Sequence, residues 1–318
     1  MFWIGLFLAG ILLQGLGGVP LAMAIFPVPV AVLWVRGRHG AAAAAAVCGA
    51  CSVLVGQTLM ASAGDGVVLA CAALAVAGLG APLGEMIRRG RSFGQCVTLL
   101  AAVTYGLAVF EAAVQWDEFR KVWTIASNQF IAELEKSAGE ANPVTELMRL
   151  VDVHLPYVFF GMQFTGVLLV VVLQVAAVFR WLRADPEAAA ALPLAGKFQM
   201  MRPPETLVWL AIAAALLGLA DYQWPNEVMR FVSWNTGVAL AAVYWLNGVG
   251  IALCAMEAFG LRPPAAWGLL GLMMLIGLHN GLAVIGLFDT WFDQRLGVLR
   301  FAAAWRDRNR GDPKDPEA

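Results

Sequence analysis

Long uninterrupted runs of apolar residues dominate this chain. The run 158–179 is the clearest, because it contains no charged residue and ends in the basic segment Arg180-Trp181-Leu182-Arg183. A helix needs about 20 such residues to cross the hydrocarbon core of a bilayer. Several runs of this length follow one another between residues 2 and 289. The sequence therefore predicts a membrane protein that crosses the bilayer several times.

These runs indicate helices rather than the strands of a barrel. Barrel strands alternate apolar and polar residues over about 10 positions, whereas the runs here are continuous and rich in Ala, Leu, Val and Gly. Backbone polar groups in lipid must be satisfied within the protein, which continuous apolar runs achieve as helices. We expect an all-α bundle with about eight or nine membrane spans. The ranges predicted as spans are 2–16, 19–35, 40–61, 66–86, 94–115, 154–181, 204–222, 229–258 and 266–288.

The positions of Lys and Arg predict the orientation of the first six spans. Basic clusters follow the second, fourth and sixth spans, whereas the loop 116–152 carries seven acidic and four basic residues. Because Lys and Arg mark cytoplasmic loops, we expect this loop on the opposite, outer side of the membrane. The chain then divides into a six-span core at 1–183, C-terminal membrane helices at 184–290 and a charged tail at 291–318.

The charge pattern gives two answers for the tail. Arg262 places the end of the eighth span in the cytoplasm, so one further span would put the tail outside. The tail nevertheless carries six basic residues, with five acidic residues from Asp293 onward. Either the tail is external, or the region His279-Asn280-Gly281 breaks the last span.

Apolar residues in the outer loop recur at helical spacing. They follow one another at intervals typical of an amphipathic helix: Phe119, Val122, Trp123, Ala126, Phe130 and Leu134. Asn142-Pro143 then has the pattern of a helix cap followed by proline at the first helical position. We expect two amphipathic helices on the outer surface, which either pack over the bundle or cover a cavity.

Polar side chains inside the spans are candidate ligand contacts, because such groups are costly in lipid. Glu111 is the only acid of the first six spans away from a cytoplasmic end, and it lies about one turn from the outer end of the fifth span. Gln14, Gln57 and Gln163 lie toward the same outer half. These four residues could contact a solute. Glu111 could instead extend its carboxylate to the outer lipid headgroups. A glutamine in a span is also typical of a hydrogen bond between helices.

The sequence contains no enzyme or nucleotide-binding motif of the GxSxG, HExxH or Walker type. The pair Cys48 and Cys51 lies in an Ala-rich span, where small residues indicate helix contact rather than a redox or zinc site. An intramembrane enzyme would have to use His279 with Glu257 or Asp289. On one helix, His279 and Asp289 would be about 15 Å apart. We expect no catalytic residue, metal or cofactor, and the net charge of −1 gives no sign of nucleic-acid binding.

Three motifs in the C-terminal third carry a family resemblance. Arg202-Pro203-Pro204-Glu205 leads into the seventh span, Tyr244-Trp245-Leu246-Asn247-Gly248 follows Asn235, and Gly286-Leu287-Phe288-Asp289-Thr290-Trp291-Phe292-Asp293-Gln294-Arg295 closes the series. This order resembles the YybS-like family of uncharacterised bacterial integral membrane proteins. The resemblance implies family-motif positions at Asn235, Asn247, Asp289, Trp291, Asp293 and Arg295.

The YybS-like family is distantly similar to the S components of energy-coupling-factor transporters. This similarity implies a six-helix core that binds a small-molecule solute near its outer face and docks onto a coupling protein with two ATPases. We therefore expect a solute-binding or transport component of the inner membrane, with any ATPase on a separate subunit. The alternative is a non-transporting scaffold or assembly subunit, which would bind a partner protein through small-residue faces and the outer helices.

Overall fold

The computed structural model describes residues 27–60, 74–138, 143–185 and 198–310, together with Ala189. Within these residues the structure is helical and has no strand, which confirms the predicted all-α class there. The helices are α1 (Pro27–Val35), α2 (His39–Met60), α3 (Gly80–Arg88), α4 (Phe93–Ala138), α5 (Pro143–Arg183), α6 (Thr206–Gln223), α7 (Glu227–Ala258), α8 (Pro263–Leu275), α9 (His279–Phe292) and α10 (Gln294–Arg310).

Among the described residues, three helices are long and apolar enough to cross a bilayer. They are α6, α7 and the part Tyr157–Arg183 of α5, and the bent pair α8 and α9 would make a fourth if it forms one span. Shorter apolar stretches occur at His39–Ser52 and Phe93–Gly106. The predicted span at 2–16 and the beginnings of those at 19–35 and 66–86 lie outside the described residues. The count of eight or nine spans therefore stays a prediction.

The fifth and sixth predicted spans continue without a break into the outer loop. Helix α4 has 46 residues and α5 has 41. At 1.5 Å per residue each is roughly 60–70 Å long, about twice the thickness of the hydrocarbon core. Helix α5 begins at Pro143, as the cap pattern predicts, and continues through Pro156. The outer loop therefore consists of the projecting halves of α4 and α5, rather than separate helices joined to the spans.

Two polar contacts join the projecting halves into a hairpin. The indole Nε1 of Trp123 donates to Oδ1 of Asp152 at 2.8 Å. Nearer the tip, the guanidinium of Arg149 pairs with the carboxylate of Glu135. We call the segments 116–138 and 143–156 the outer hairpin. Its helices lie side by side there, since Trp123 and Glu135 of α4 pair with Asp152 and Arg149 of α5 in reverse order.

The packed face of α4 in the outer hairpin differs in part from the predicted face. Trp123 and Leu134 are half-buried, as expected, but Phe130 is exposed and Ser127 is buried instead. Trp123, Ser127 and Leu134 follow the helical period as well as the predicted set does. The contact with α5 therefore determines which face of α4 is buried, and apolar spacing alone does not predict that face. The side chains of two further predicted positions, Phe119 and Val122, lie outside the described part.

The chain forms two compact units, each described here by itself. The first comprises residues 1–106 and 166–201, and the second comprises 107–165 and 202–318. The outer hairpin belongs to the second unit, together with the C-terminal helices. The division predicted from the sequence, at 1–183, 184–290 and 291–318, stays a prediction.

In the first unit, the basic ends of helices lie together. Trp34 Nε1 near the end of α1 donates to Oε2 of Glu85 in α3 at 3.4 Å. Arg36, just beyond α1, pairs with Asp185, just beyond α5, at 2.8 Å. The basic loops after the second, fourth and sixth predicted spans therefore meet at one end of this unit. That arrangement agrees with the shared side that the charge pattern predicts for them.

In the second unit, α6 and α7 form an antiparallel pair with a tight polar connection. The Asn226 side chain caps α7 by accepting from the backbone N–H groups of Val228 and Met229. Asp221 accepts from the Asn226 backbone N–H at 2.8 Å and from Arg230 Nε at 3.0 Å. These bonds satisfy backbone donors at the start of α7, so the connection between the two apolar helices needs few residues.

The predicted span at 266–288 is wrong as a continuous helix. Helix α8 ends at Leu275, and α9 begins at His279, with a bend of 112° between the pair. Gly277 lies in this break with a φ of 82°, a left-handed conformation that glycine adopts without strain. The alternative, a break beside His279-Asn280-Gly281, is therefore the observed one.

After the bend, α9 brings the chain back to the C-terminal end of α7, where α8 started. Asp293, just after α9, pairs with Arg202, just before α6. In α10, Arg306 donates to the carbonyl oxygen of Ala258, the last residue of α7, at 3.1 Å. The end of α10 and the loop that holds Arg262 consequently lie at the same end of α7.

Candidate functional site

Three of the family-motif residues meet in a buried polar cluster, which we call the Asn-Asp-Arg cluster. It consists of Asn247 in α7, Asp289 in α9 and Arg295 in α10. The Arg295 guanidinium pairs with the Asp289 carboxylate and also donates to Oδ1 of Asn247 at 2.7 Å. The Asn247 amide donates to the carbonyl oxygen of Gly286 at 2.7 Å. Three helices are therefore joined through side chains that lie far apart in sequence.

The cluster is fully enclosed by protein. The side chains of Arg295 and Asp289 are only 2% and 1% exposed. Burial lowers the pKa of the Arg295 guanidinium from its ordinary value, while the neighbouring Asp289 carboxylate acts in the opposite direction. Asp289 also accepts from the backbone N–H of Gln294 at 2.9 Å. Because these groups bond to one another, the cluster fixes helix packing and leaves no free face for a solute.

Next to the cluster, the backbones of α7 and α9 are in direct contact. A Cβ on Gly248 would overlap the carbonyl oxygen of Leu282, and one on Gly286 would overlap that of Tyr244. Only glycine permits such backbone contact, which is the usual role of small residues between membrane helices. The short αL step at Asp293, with a φ of 41°, then turns the chain into α10 so that Arg295 enters the cluster.

The other family-motif residues have separate roles. Asn235 accepts from the Gly161 backbone N–H at 2.8 Å and donates to the carbonyl oxygen of Phe231 at 2.9 Å, so it joins α5 to α7. Asp293 pairs with Arg202, as described above. Trp291 is exposed. The six motif residues therefore form one three-residue cluster, one helix contact, one ion pair and one exposed position.

An open groove lies beside the Asn-Asp-Arg cluster, between α6, α7 and α9. We call it the C-terminal groove, and its volume is about 580 Å³. This volume falls within the range of small-molecule sites. Its lining residues are mostly small or apolar: Ala211, Ala214, Ala215, Gly218, Ser233, Trp234, Gly237, Val238, Leu240, Ala241, Tyr244, Ala283, Val284 and Leu287.

Tyr244 carries the unusual polar group of the C-terminal groove. Its side chain is only 4% exposed and packs with Val208 and Leu240. Its hydroxyl is buried and has no hydrogen-bond partner among the described residues. Leaving a buried hydroxyl without a partner costs about 1–3 kcal/mol. The groove thus has an apolar wall, and one of its lining residues carries a buried hydroxyl that no described residue satisfies.

The chain matches a known protein family. A family model described as "Predicted membrane protein (DUF2232)" matches residues 4–290. The chain belongs to this DUF2232 family. No curated protein and no solved structure matches it significantly. The family match confirms the prediction of a membrane protein and covers both the Asn-Asp-Arg cluster and the C-terminal groove, except Arg295.

The described part of this DUF2232 chain contains the side chain of one of the four predicted solute residues, Gln163. Gln14 and the side chains of Gln57 and Glu111 lie outside the described part, so their proposed role stays a prediction. Gln163 in α5 is half-buried and is not among the residues that line the C-terminal groove.

Sequence reasoning missed the C-terminal groove in this DUF2232 chain. The signal was present, because Ser233, Gly237, Ala241 and Tyr244 recur at intervals of four, four and three along α7. Such a stripe is equally typical of a helix that packs against a neighbour. The hydroxyl at one end of the stripe is the feature that sets it apart.

Proposed function

We propose that this DUF2232 protein is a solute-binding component of the membrane and that its solute occupies the C-terminal groove. The observation that carries the proposal is the buried hydroxyl of Tyr244 beside an apolar groove of about 580 Å³. Ligand sites typically combine an apolar lining with a few placed polar groups. A solute with a hydrogen-bonding group would satisfy that hydroxyl.

The resemblance to S components supports the same class of function. S components bind the solute, whereas ATP hydrolysis belongs to other subunits. The absence of nucleotide-binding motifs from the 318 residues agrees with that division of labour. A transport role would then require a coupling protein and ATPase subunits. The proposal places the solute in the C-terminal groove rather than near Glu111 and Gln163.

Filling the C-terminal groove is expected to abolish solute retention. Ala215 is exposed and lines the groove, whereas Ala213 is exposed on the same helix outside it. In Ala215→Trp the indole would occupy groove volume, so we expect at least a tenfold loss of any co-purifying small molecule, the result of about 1.4 kcal/mol. Native mass spectrometry of the gently extracted protein measures that loss.

Ala213→Trp is the matched control, since it adds the same side chain to the same helix. It is expected to retain the solute as the unmodified protein does. Equal retention by Ala215→Trp and Ala213→Trp would place the solute elsewhere and overturn the proposed site.

A second candidate function, a scaffold for a partner protein, is favoured by one different observation. Val144, Leu147, Leu150 and Val153 recur every three residues along α5 in the outer hairpin, and all are between 48% and 62% exposed. Contiguous exposed apolar residues often mark a protein contact. We call these four residues the outer stripe. Its partner would be a protein with a complementary apolar face.

A charge within the outer stripe is expected to release such a partner. Leu150→Lys should weaken the complex at least tenfold, about 1.4 kcal/mol, since it places an unpaired charge in an apolar contact. Gln129→Lys adds the same charge at an exposed position of α4 outside the stripe. Quantitative co-purification of the tagged proteins distinguishes the two. A partner that remains bound to Leu150→Lys contradicts docking at the stripe.

A further inference from the structure

We infer that the solute of the C-terminal groove is an uncharged, elongated amphiphile with a hydrogen-bond acceptor, which enters sideways from the bilayer. This inference rests on the proposed function and specifies its solute class. Three properties of the groove lead to it: the charge of its lining, its shape and exposure, and the chemistry of its hydroxyl groups.

The lining of the C-terminal groove excludes a charged solute. None of the described residues that line it carries a charged side chain. Arg295 and Asp289 pair with each other in an enclosed cluster, and Arg230 pairs with Asp221, so these charges are already satisfied. An isolated charge in apolar surroundings is strongly unfavourable unless it is paired. The part of the solute that lies in the groove is therefore neutral.

The groove is elongated and open to the side. Ser233 and Tyr244 line it 11 positions apart on α7, which corresponds to roughly 16 Å along the helix axis. Trp234 on α7 and Val284 on α9 also line it, and both are exposed. Because α6 and α7 are apolar enough to cross a bilayer, the surroundings of this opening are lipid. A long apolar molecule can enter from there without passing through water.

The hydroxyl groups set the polar requirement. The Ser233 hydroxyl donates to the carbonyl oxygen of Arg230 at 3.1 Å. The Tyr244 hydroxyl has no partner among the described residues, so it remains able to donate. A hydrocarbon chain of an ordinary membrane lipid offers no acceptor to it. An ether, ester or ketone on the solute would accept a hydrogen bond from this hydroxyl. That hydrogen bond would distinguish specific binding of the solute from ordinary contact with lipid.

The test uses the full chain in vesicles of phosphatidylethanolamine and phosphatidylglycerol, with three photoreactive probes. Each probe has the same long chain with a diazirine and an alkyne. One ends in a methyl ester, one in a sulfonate, and one is the plain hydrocarbon. Peptide mass spectrometry after illumination measures labelling of α6 and α7 in the unmodified protein and in Tyr244→Phe, Ala215→Trp and Ala213→Trp.

The ester is expected to label the groove more strongly than the sulfonate or the hydrocarbon. Tyr244→Phe keeps the ring and removes the hydroxyl, so it should lower ester labelling about threefold to tenfold, the effect of one hydrogen bond. It should leave hydrocarbon labelling unchanged. Ala215→Trp should suppress ester labelling, and Ala213→Trp should not. Tyr244→Phe is also expected to fold, since it removes a buried hydroxyl without enlarging the side chain.

The contrary outcomes separate this inference from the proposed function. If the sulfonate labels as strongly as the ester, or Tyr244→Phe changes nothing, the solute class is wrong. The proposed function still stands in that case if Ala215→Trp loses the co-purifying solute in native mass spectrometry. If Ala215→Trp changes neither the labelling nor the retained solute, both the class and the site are overturned.

Discussion

Replacing Arg295 with methionine is expected to destabilise the second unit by about 3–5 kcal/mol, the cost of leaving one member of a buried ion pair without its partner. The Asp289 carboxylate would lose its charged partner while only 1% exposed. Oδ1 of Asn247 would lose its donor as well. The midpoint of unfolding, measured by titrating SDS into the protein in a mild detergent, should fall clearly.

Arg300→Met provides the control for this prediction. Arg300 is exposed on the same helix, so its replacement removes an equal charge without opening the Asn-Asp-Arg cluster. Its midpoint is expected to shift by at most a few tenths of a kcal/mol. Equal midpoints for Arg295→Met and Arg300→Met would contradict the structural role of the cluster.

The double variant Asp289→Leu/Arg295→Met sharpens the interpretation. Removing both charges abolishes the unpaired buried carboxylate, so stability should recover in part. Recovery should remain incomplete, because the backbone N–H of Gln294 loses its acceptor on Asp289. A double variant as unstable as Arg295→Met alone would show that the lost packing of Arg295, rather than the unpaired charge, is responsible.

The apolar runs of the second unit predicted its long helices closely. The expected spans 204–222 and 229–258 differ by about two residues at the most from α6 and α7. Such runs are reliable because a bilayer permits few alternatives to a helix. The continuation of α4 and α5 into the outer hairpin was harder to predict, since a polar segment after a span is as typical of a loop as of a continuing helix. The break before His279 was predicted only as one of two alternatives, because glycines in apolar runs usually serve packing instead.

The candidate site could be predicted only in part, for a geometric reason. Resemblance drew attention to Asn247, Asp289 and Arg295, but their meeting depends on how α9 and α10 return to α7. No local spacing contains that information, because 42 residues separate Asn247 from Asp289. The C-terminal groove depends on a gap between three helices. The sequence pattern of helices that line a gap is the same as that of helices in packed contact, so the gap could not be predicted.

The second large effect is expected at the contact between α7 and α9. Gly286→Ala should destabilise the second unit by at least about 3 kcal/mol, since overpacking commonly costs 1–3 kcal/mol even where side chains can move. Here the added Cβ would overlap a backbone atom, the carbonyl oxygen of Tyr244. The two helices would have to separate. That separation would also stretch the bond from the Asn247 amide to the Gly286 carbonyl, now 2.7 Å long.

Gly281→Ala tests whether this effect comes from the contact rather than from the mutation of a helical glycine. Gly281 lies on the same helix, and a Cβ there would meet nothing within 4 Å. Alanine favours helix more than glycine by up to about 1 kcal/mol, so Gly281→Ala should be neutral or slightly stabilising in the same SDS titration. Opposite signs for the two variants would place the effect at the helix contact. Equal midpoints would mean that α7 and α9 are not in backbone contact, and the Asn-Asp-Arg cluster, which depends on that contact, would have to be arranged differently.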